Sequence, residues 1–295
     1  MIRLKQYDVR TAPLPCGETY AYRKAGKGGE PIILLHGNMS SSVHWQTTLE
    51  VLEDEYTVYA PDLRGFGEST YNKEFDTLAE LAQDVEQFAD VLGIGGFYVC
   101  GWSAGAGVAM ELAVNSPERV KGLILLAPVP PTGYPMFKKG PDMRPIITQP
   151  LTTKEDVAAD PVQVTPALNA LKAGDRATMR FFWDMTIYTL GKPSDEDYEI
   201  YLDGIMKQRN LVDVDYALLT FNIAERLGDI KCPITILNGE HDVVVPLAWT
   251  QSSLPLYGAR AELVTFPDSG HSPVTDEPDA FFAALRAALK KTGSD

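Results

Sequence analysis

Ser103 stands between two glycines in FYVCGWSAG (97–105), where an apolar run passes into an alanine-rich stretch. A hydroxyl at such a junction can do nucleophilic chemistry. A strand–turn–helix corner lifts the side chain clear of the sheet and aims the following N–H at the same space. Glycine is needed on both flanks, since a β-carbon there would meet neighbouring backbone. The plainer alternative is a Gly-rich corner whose serine caps the helix. A serine hydroxyl is a weak nucleophile, so it needs a base, and the base needs an orienting carboxylate. Of the four histidines, His36, His44, His241 and His271, the last follows an apolar strand pattern in PDSGHSP, where a loop can hang it over a sheet edge. The carboxylate falls to Asp242 in ILNGEHDVVVP, with Glu240 its nearest competitor. The loop after the strand at 120–127 offers no carboxylate before Asp142. Serine, aspartate and histidine then follow one another in one of the chain orders that triads use.

Acyl transfer also needs N–H donors where negative charge develops. Ala104, directly after the serine, supplies one. The second belongs to the loop HGNM (36–39) after an early apolar strand, presented by Asn38 or Met39, with the Asn38 backbone preferred. His36 is read as a brace for this loop, and Asp62 and Arg64 as residues that fix the turn DLRGFGES. Met39, Trp102, Tyr134 and Trp183 are candidates for lining a substrate pocket.

No metal and no cofactor is called for. The chain has no CxxC, no HExxH and no GxGxxG after a strand. A formal net charge of −14 argues against nucleic acid and anionic membranes, whose phosphates select basic surfaces. The opening MIRLKQYDVR lacks an apolar signal region, and no apolar run reaches the length of a membrane span. With Cys16, Cys100 and Cys232 scattered and odd in number, reduced thiols and a cytoplasmic location are expected. The oligomeric state is left open.

These residues must be positioned by alternating elements. Two strands, about Arg3–Asp8 and Glu18–Arg23, suit an antiparallel edge. Apolar strand runs follow at 32–37, 56–61, 97–102 and 120–127, separated by helical stretches through Leu52, at 104–115, and on the stripe Leu78, Leu81, Val85, Phe88, Leu92. This rhythm favours a mostly parallel sheet covered on both faces. It breaks from Val129 to Gly228, a stretch read as a helical insertion without strand alternation, rich in aromatic residues and Met and suited to a lid over an apolar pocket. It resumes with strands at 234–238 and 263–266 and a closing helix at 278–289. The core would then comprise 1–128 and 229–295, with the cap at 129–228.

Together HGNM, DLRGFGES, GWSAG, GEHDVVVP and SGHSP, spanning about 32–273, resemble the α/β-hydrolase superfamily in its own order. The resemblance implies an α/β-hydrolase fold: a mostly parallel eight-stranded sheet flanked by helices, with a helical cap. It implies a serine hydrolase acting through Ser103, His271 and Asp242 and an acyl-enzyme. A serine nucleophile excludes the aspartate chemistry of haloalkane dehalogenases and epoxide hydrolases and the cysteine of dienelactone hydrolases. More narrowly, GYPMFKKG, DPVQVTPALNALK and QRNLVDVDYALLTFNI are similar to intracellular polyhydroxybutyrate depolymerase-like hydrolases of Bacillus. That similarity implies cleavage of 3-hydroxyacyl esters, so a small-molecule ester or a hydroxyacyl oligomer is the expected partner. A lactonase or C–C bond hydrolase with the same triad is an alternative, though HGNM lacks the extended Gly-rich loop expected of C–C hydrolases. A ligand receptor with little turnover is another.

Overall fold

The computed structural model describes residues 4–291. β1 (Arg10–Pro13) and β2 (Thr19–Ala25) pair antiparallel. Strand and helix then alternate: β3 (Pro31–Leu35), α1 (Gln46–Leu52) entered through a 3-10 turn at Ser42–Trp45, β4 (Thr57–Pro61), α2 (Leu78–Val91), β5 (Phe97–Trp102), α3 (Ala104–Asn115) and β6 (Val120–Leu126). Between β6 and the next strand of the main sheet lie a hairpin, β7 (Phe137–Lys139) and β8 (Pro145–Pro150), and five helices. These are α4 (Lys154–Ala158), α5 (Val164–Ala173), α6 (Arg176–Thr186), α7 (Asp195–Ile205) and α8 (Leu211–Thr220). The alternation resumes with β9 (Ile234–Gly239), α9 (Leu247–Ser253), β10 (Ala261–Phe266), α10 (Pro273–Asp276) and α11 (Pro278–Leu289).

The main sheet has eight strands in the order β1-β2-β4-β3-β5-β6-β9-β10, antiparallel at β1 and β2 and parallel from β4 onward. The chain's mostly parallel sheet follows from its sequence: every residue of β5 and β9 is buried, as strands covered on both faces require. One face packs against α2 and α3, the other against α1 and α11. α2 shows why its residues are helical. Thr77 accepts from the Glu80 N–H while the Glu80 carboxylate reaches back to the Thr77 N–H, and Leu78, Leu81, Val85 and Phe88 form one buried stripe.

Two expectations need correction. The strand expected at about Arg3–Asp8 does not form in its described part, and the first strand is Arg10–Pro13. The Leu4 and Tyr7 N–H groups donate to the side chains of Asp197 and Gln46 instead, so these two donors are satisfied without a ladder. The stretch 129–228 is also not free of strands, since it carries the β7–β8 hairpin.

The same stretch is built into the core. Val214, Ala217 and Leu218 of α8 join the face that packs α2 and α3. On the other face, the His44 ring is stacked between Trp183 at 4.8 Å and Tyr201 at 4.6 Å. Burial lowers the His44 pKa to about 3, so the folded protein holds this ring neutral. Below about pH 6.5 the unfolded chain binds a proton there that the folded chain refuses. Stability is therefore expected to fall on acidification, by up to about 1.4 kcal/mol per pH unit from this group alone. Denaturant unfolding at pH 6.5 and 4.5 checks this: His44→Phe, which keeps a flat ring, is expected to lose about 2–3 kcal/mol less than the parent over that interval.

Candidate active site

β5 ends at Trp102 and α3 begins at Ala104, so Ser103 alone turns the corner, at φ 55° and ψ −116°. A non-glycine residue at positive φ is held there against a cost of about 1–3 kcal/mol. The hold is visible. The Ser103 N–H donates to the Leu126 carbonyl at 2.9 Å, and its own carbonyl accepts from the Ala106 N–H at 3.0 Å. A β-carbon on Gly101 would stand 2.3 Å from the Gly105 carbonyl oxygen, and one on Gly105 would stand 2.4 Å from those of Leu35 and His36. Both glycines are therefore obligatory, for the reason the sequence suggests.

His271 hangs in the loop between β10 and α10, fully buried, with its Nδ1 2.8 Å from Asp242 Oδ2. The other Asp242 oxygen accepts the N–H groups of Val244 and Val245, each at 2.8 Å. A carboxylate so held cannot rotate away from the imidazole. Trp102, the neighbour of Ser103, donates its indole N–H to the His271 carbonyl at 3.0 Å, with the two rings 5.7 Å apart. Asp276 secures the same loop, accepting the Gly270 N–H at 2.9 Å and that of Gly191 at 2.7 Å. The Trp102 indole thus ties the residue beside Ser103 to the loop that carries His271. Among the described residues no direct hydrogen bond joins Ser103 and His271, a contact that commonly closes only around substrate. Glu240 and His241 lie exposed on the flanking turn, with Glu240 accepting from Thr265.

The HGNM loop lies against the serine: a β-carbon on Gly37 would be 3.0 Å from that of Ser103. His36 braces it. Its Nε2 accepts the Leu63 N–H at 3.0 Å, which leaves Nδ1 to donate to the Gly37 carbonyl at 2.8 Å. Asp62 accepts the N–H groups of Ser42 and Glu68, and Arg64 makes a bidentate, buried pair with Asp84, both contacts 2.7 Å. The Met39 N–H is occupied, donating to Asn38 Oδ1 at 2.9 Å. The Asn38 N–H has no acceptor among the described residues, and Ala104, the first residue of α3, has none within its own helix.

The pocket candidates part company. Trp102 walls a cavity of about 30 Å³, room for one water, together with His44, Trp45 and Tyr201. Tyr134 donates its hydroxyl to the Val244 carbonyl at 3.2 Å and lines an open groove of about 290 Å³ with Trp249 and Leu219. Met39, at φ 49°, is half-buried against the core. Trp183 is spent in the His44 stack and fully buried.

Burial pushes the Cys100 and Cys232 thiols up to about 12 and 11, and raises Cys16 as well, so no thiolate competes as nucleophile. Among the described residues no three His, Cys, Asp or Glu side chains gather to hold a metal, and no helix is long and apolar enough to cross a membrane. Sequence reasoning missed Gln208 and Asp215, whose side chains reach Asn38. The one available signal was the two aspartates, Asp213 and Asp215, inside the apolar helix LVDVDYALLT.

The description "Alpha/beta hydrolase family" matches residues 32–284. The chain is 28% identical over 267 residues to the pimeloyl-[acyl-carrier protein] methyl ester esterase of Nitrosomonas europaea, covering 88% of this chain and 95% of that one. An esterase from Rhodococcus superposes with a TM-score of 0.74 at 22% identity, covering 97% of this chain and 99% of that one. The enol-lactonase of Burkholderia xenovorans gives a TM-score of 0.73 at 20% identity, covering 96% of this chain and 100% of that one. The two structural likenesses speak to fold alone.

Proposed function

The chain belongs to the alpha/beta hydrolase family, and from that premise we propose that it is a carboxylic ester hydrolase using Ser103 as nucleophile, His271 as base and Asp242 as orienting acid. The observation that carries the reading is the positive-φ Ser103 corner whose neighbour Trp102 is hydrogen-bonded to the carbonyl of His271, itself half of a buried imidazole–carboxylate pair. Ser103 Oγ attacks the ester carbonyl and passes its proton to His271 Nε2. The carbonyl oxygen, now negative, is met by the N–H groups of Ala104 and Asn38; the engagement of the Met39 N–H favours Asn38 as second donor. The imidazolium gives its proton to the leaving alcohol. Water then attacks the acyl-enzyme along the same route and releases the acid.

The stretch 129–228 serves in this reading as the cap over the site, with Tyr134 and Trp102 the pocket candidates best placed near the pair. Small-molecule esters are the substrate class. None of the relatives named above is a polyester depolymerase, so hydroxybutyrate oligomers enter only as one arm of a substrate panel. Incubation with a fluorophosphonate is expected to add one adduct, on the Ser103 peptide, and p-nitrophenyl acetate to be turned over many times. Labelling without turnover of any p-nitrophenyl ester, lactone or hydroxybutyrate oligomer would replace the hydrolase with a ligand receptor on the same fold.

A further inference from the structure

Asn38 is held by its side chain from three sides. Its Oδ1 accepts the Met39 N–H at 2.9 Å and Gln208 Nε2 at 2.8 Å, and its Nδ2 donates to Asp215 Oδ1 at 2.8 Å. The amide can face only one way, because a backbone N–H demands an acceptor on one side and a carboxylate a donor on the other. Gln208 is fixed in turn by Asn210, and Asn210 by the Arg64 carbonyl in the turn after β4. This line of bonds joins the turn after β4, the loop after β3 and helix α8, 177 residues further along the chain from Asn38.

We propose that Asp215 is a positioning residue for the oxyanion hole: through the Asn38 side chain, α8 sets the loop so that the Asn38 N–H, rather than that of Met39, faces the reacting carbonyl. The inference rests on the reading of Ser103 and Asn38 given above. Two observations support it. The Asn38 side chain draws the Met39 N–H away from the site, leaving the Asn38 N–H as the unengaged donor of the two. Asp215 also sits where a carboxylate is disfavoured: burial, and then the neighbouring Asp160, push its pKa up to about 7, with the Asn38 amide acting in the opposite direction. A costly carboxyl beside a candidate oxyanion loop is what a site that needs fixed geometry would contain.

The test uses the full chain, p-nitrophenyl acetate, and a trifluoromethyl ketone that adds to serine as a hemiketal oxyanion. Removing an oxyanion donor outright costs on the order of 10²–10³ in kcat, so loosening one is expected to cost less. Asp215→Ala is expected to lower kcat by about 10–100-fold with KM within about threefold, and to weaken the ketone by the same factor as kcat. Asp215→Asn, which keeps an acceptor for Asn38 Nδ2, is expected to recover kcat to within about fivefold of the parent. Should Asp215→Ala not fold, Asn38→Ala removes the same contact while keeping the backbone N–H and is expected to show the same matched losses. Unchanged kcat and ketone affinity would overturn the proposal. So would a loss confined to KM, which would make Asp215 a substrate contact. If Ser103→Ala also retains full activity, the serine reading has failed; if only the Asp215 variants do, this inference alone has.

Discussion

Ser103→Ala is expected to lower kcat for p-nitrophenyl acetate by about 10³-fold or more, with KM and melting temperature close to the parent values. The stability half of this result follows from the corner itself. Alanine keeps the β-carbon and the strained backbone, and the lost Oγ holds no hydrogen bond among the described residues. The kinetic half follows from the chemistry. Without Oγ there is no acyl-enzyme, and what remains is binding plus two N–H donors around a carbonyl, a residue of catalysis far below the full machinery. Stopped or initial-rate assays on purified variant, with thermal unfolding as the control for folding, decide the matter. Turnover near the parent rate would remove Ser103 from the mechanism and with it the proposed function.

Asp242→Asn is expected to be at least as severe, on the order of 10⁴ in kcat with little change in KM. The structure supplies the reason. The Asp242 oxygen facing away from His271 accepts two backbone N–H groups, from Val244 and Val245. In the variant those donors require the amide oxygen on their side, so the amide NH₂ must face His271 Nδ1. Nδ1 then has to accept, the ring proton moves to Nε2, and the nitrogen meant to take the serine proton is already protonated. Glu240→Gln is the matched control, expected to change kcat by less than about threefold, because Glu240 is exposed and bonded to Thr265. A large loss in Glu240→Gln with a small one in Asp242→Asn would transfer the acid's role.

Much of this was legible from residue types alone. Ser103, Gly101 and Gly105 declare themselves because a corner that tight tolerates no β-carbons beside it, and the atoms they would strike belong to backbone. His271 and Asp242 were legible because each follows a recognisable apolar strand, which puts both on the same edge of a parallel sheet. The strand expected at Arg3–Asp8 was misread because alternation shows only that a segment can pair. Whether it does depends on which acceptors stand opposite, here Asp197 and Gln46. Trp183 is a pocket candidate in the sequence, though most aromatic residues of such an insertion must serve its core, and the His44 ring is stacked on it there.

The sequence by itself determined the sheet's alternating architecture and the tight glycine-flanked corner at Ser103, since periodicity and glycine sterics act between residues close in the chain. Only the tertiary structure decided which N–H of the loop after β3 stays free and which carboxylate bonds the Asn38 side chain. Asn38 and Asp215 are 177 positions apart, a separation no local pattern in the chain can bridge.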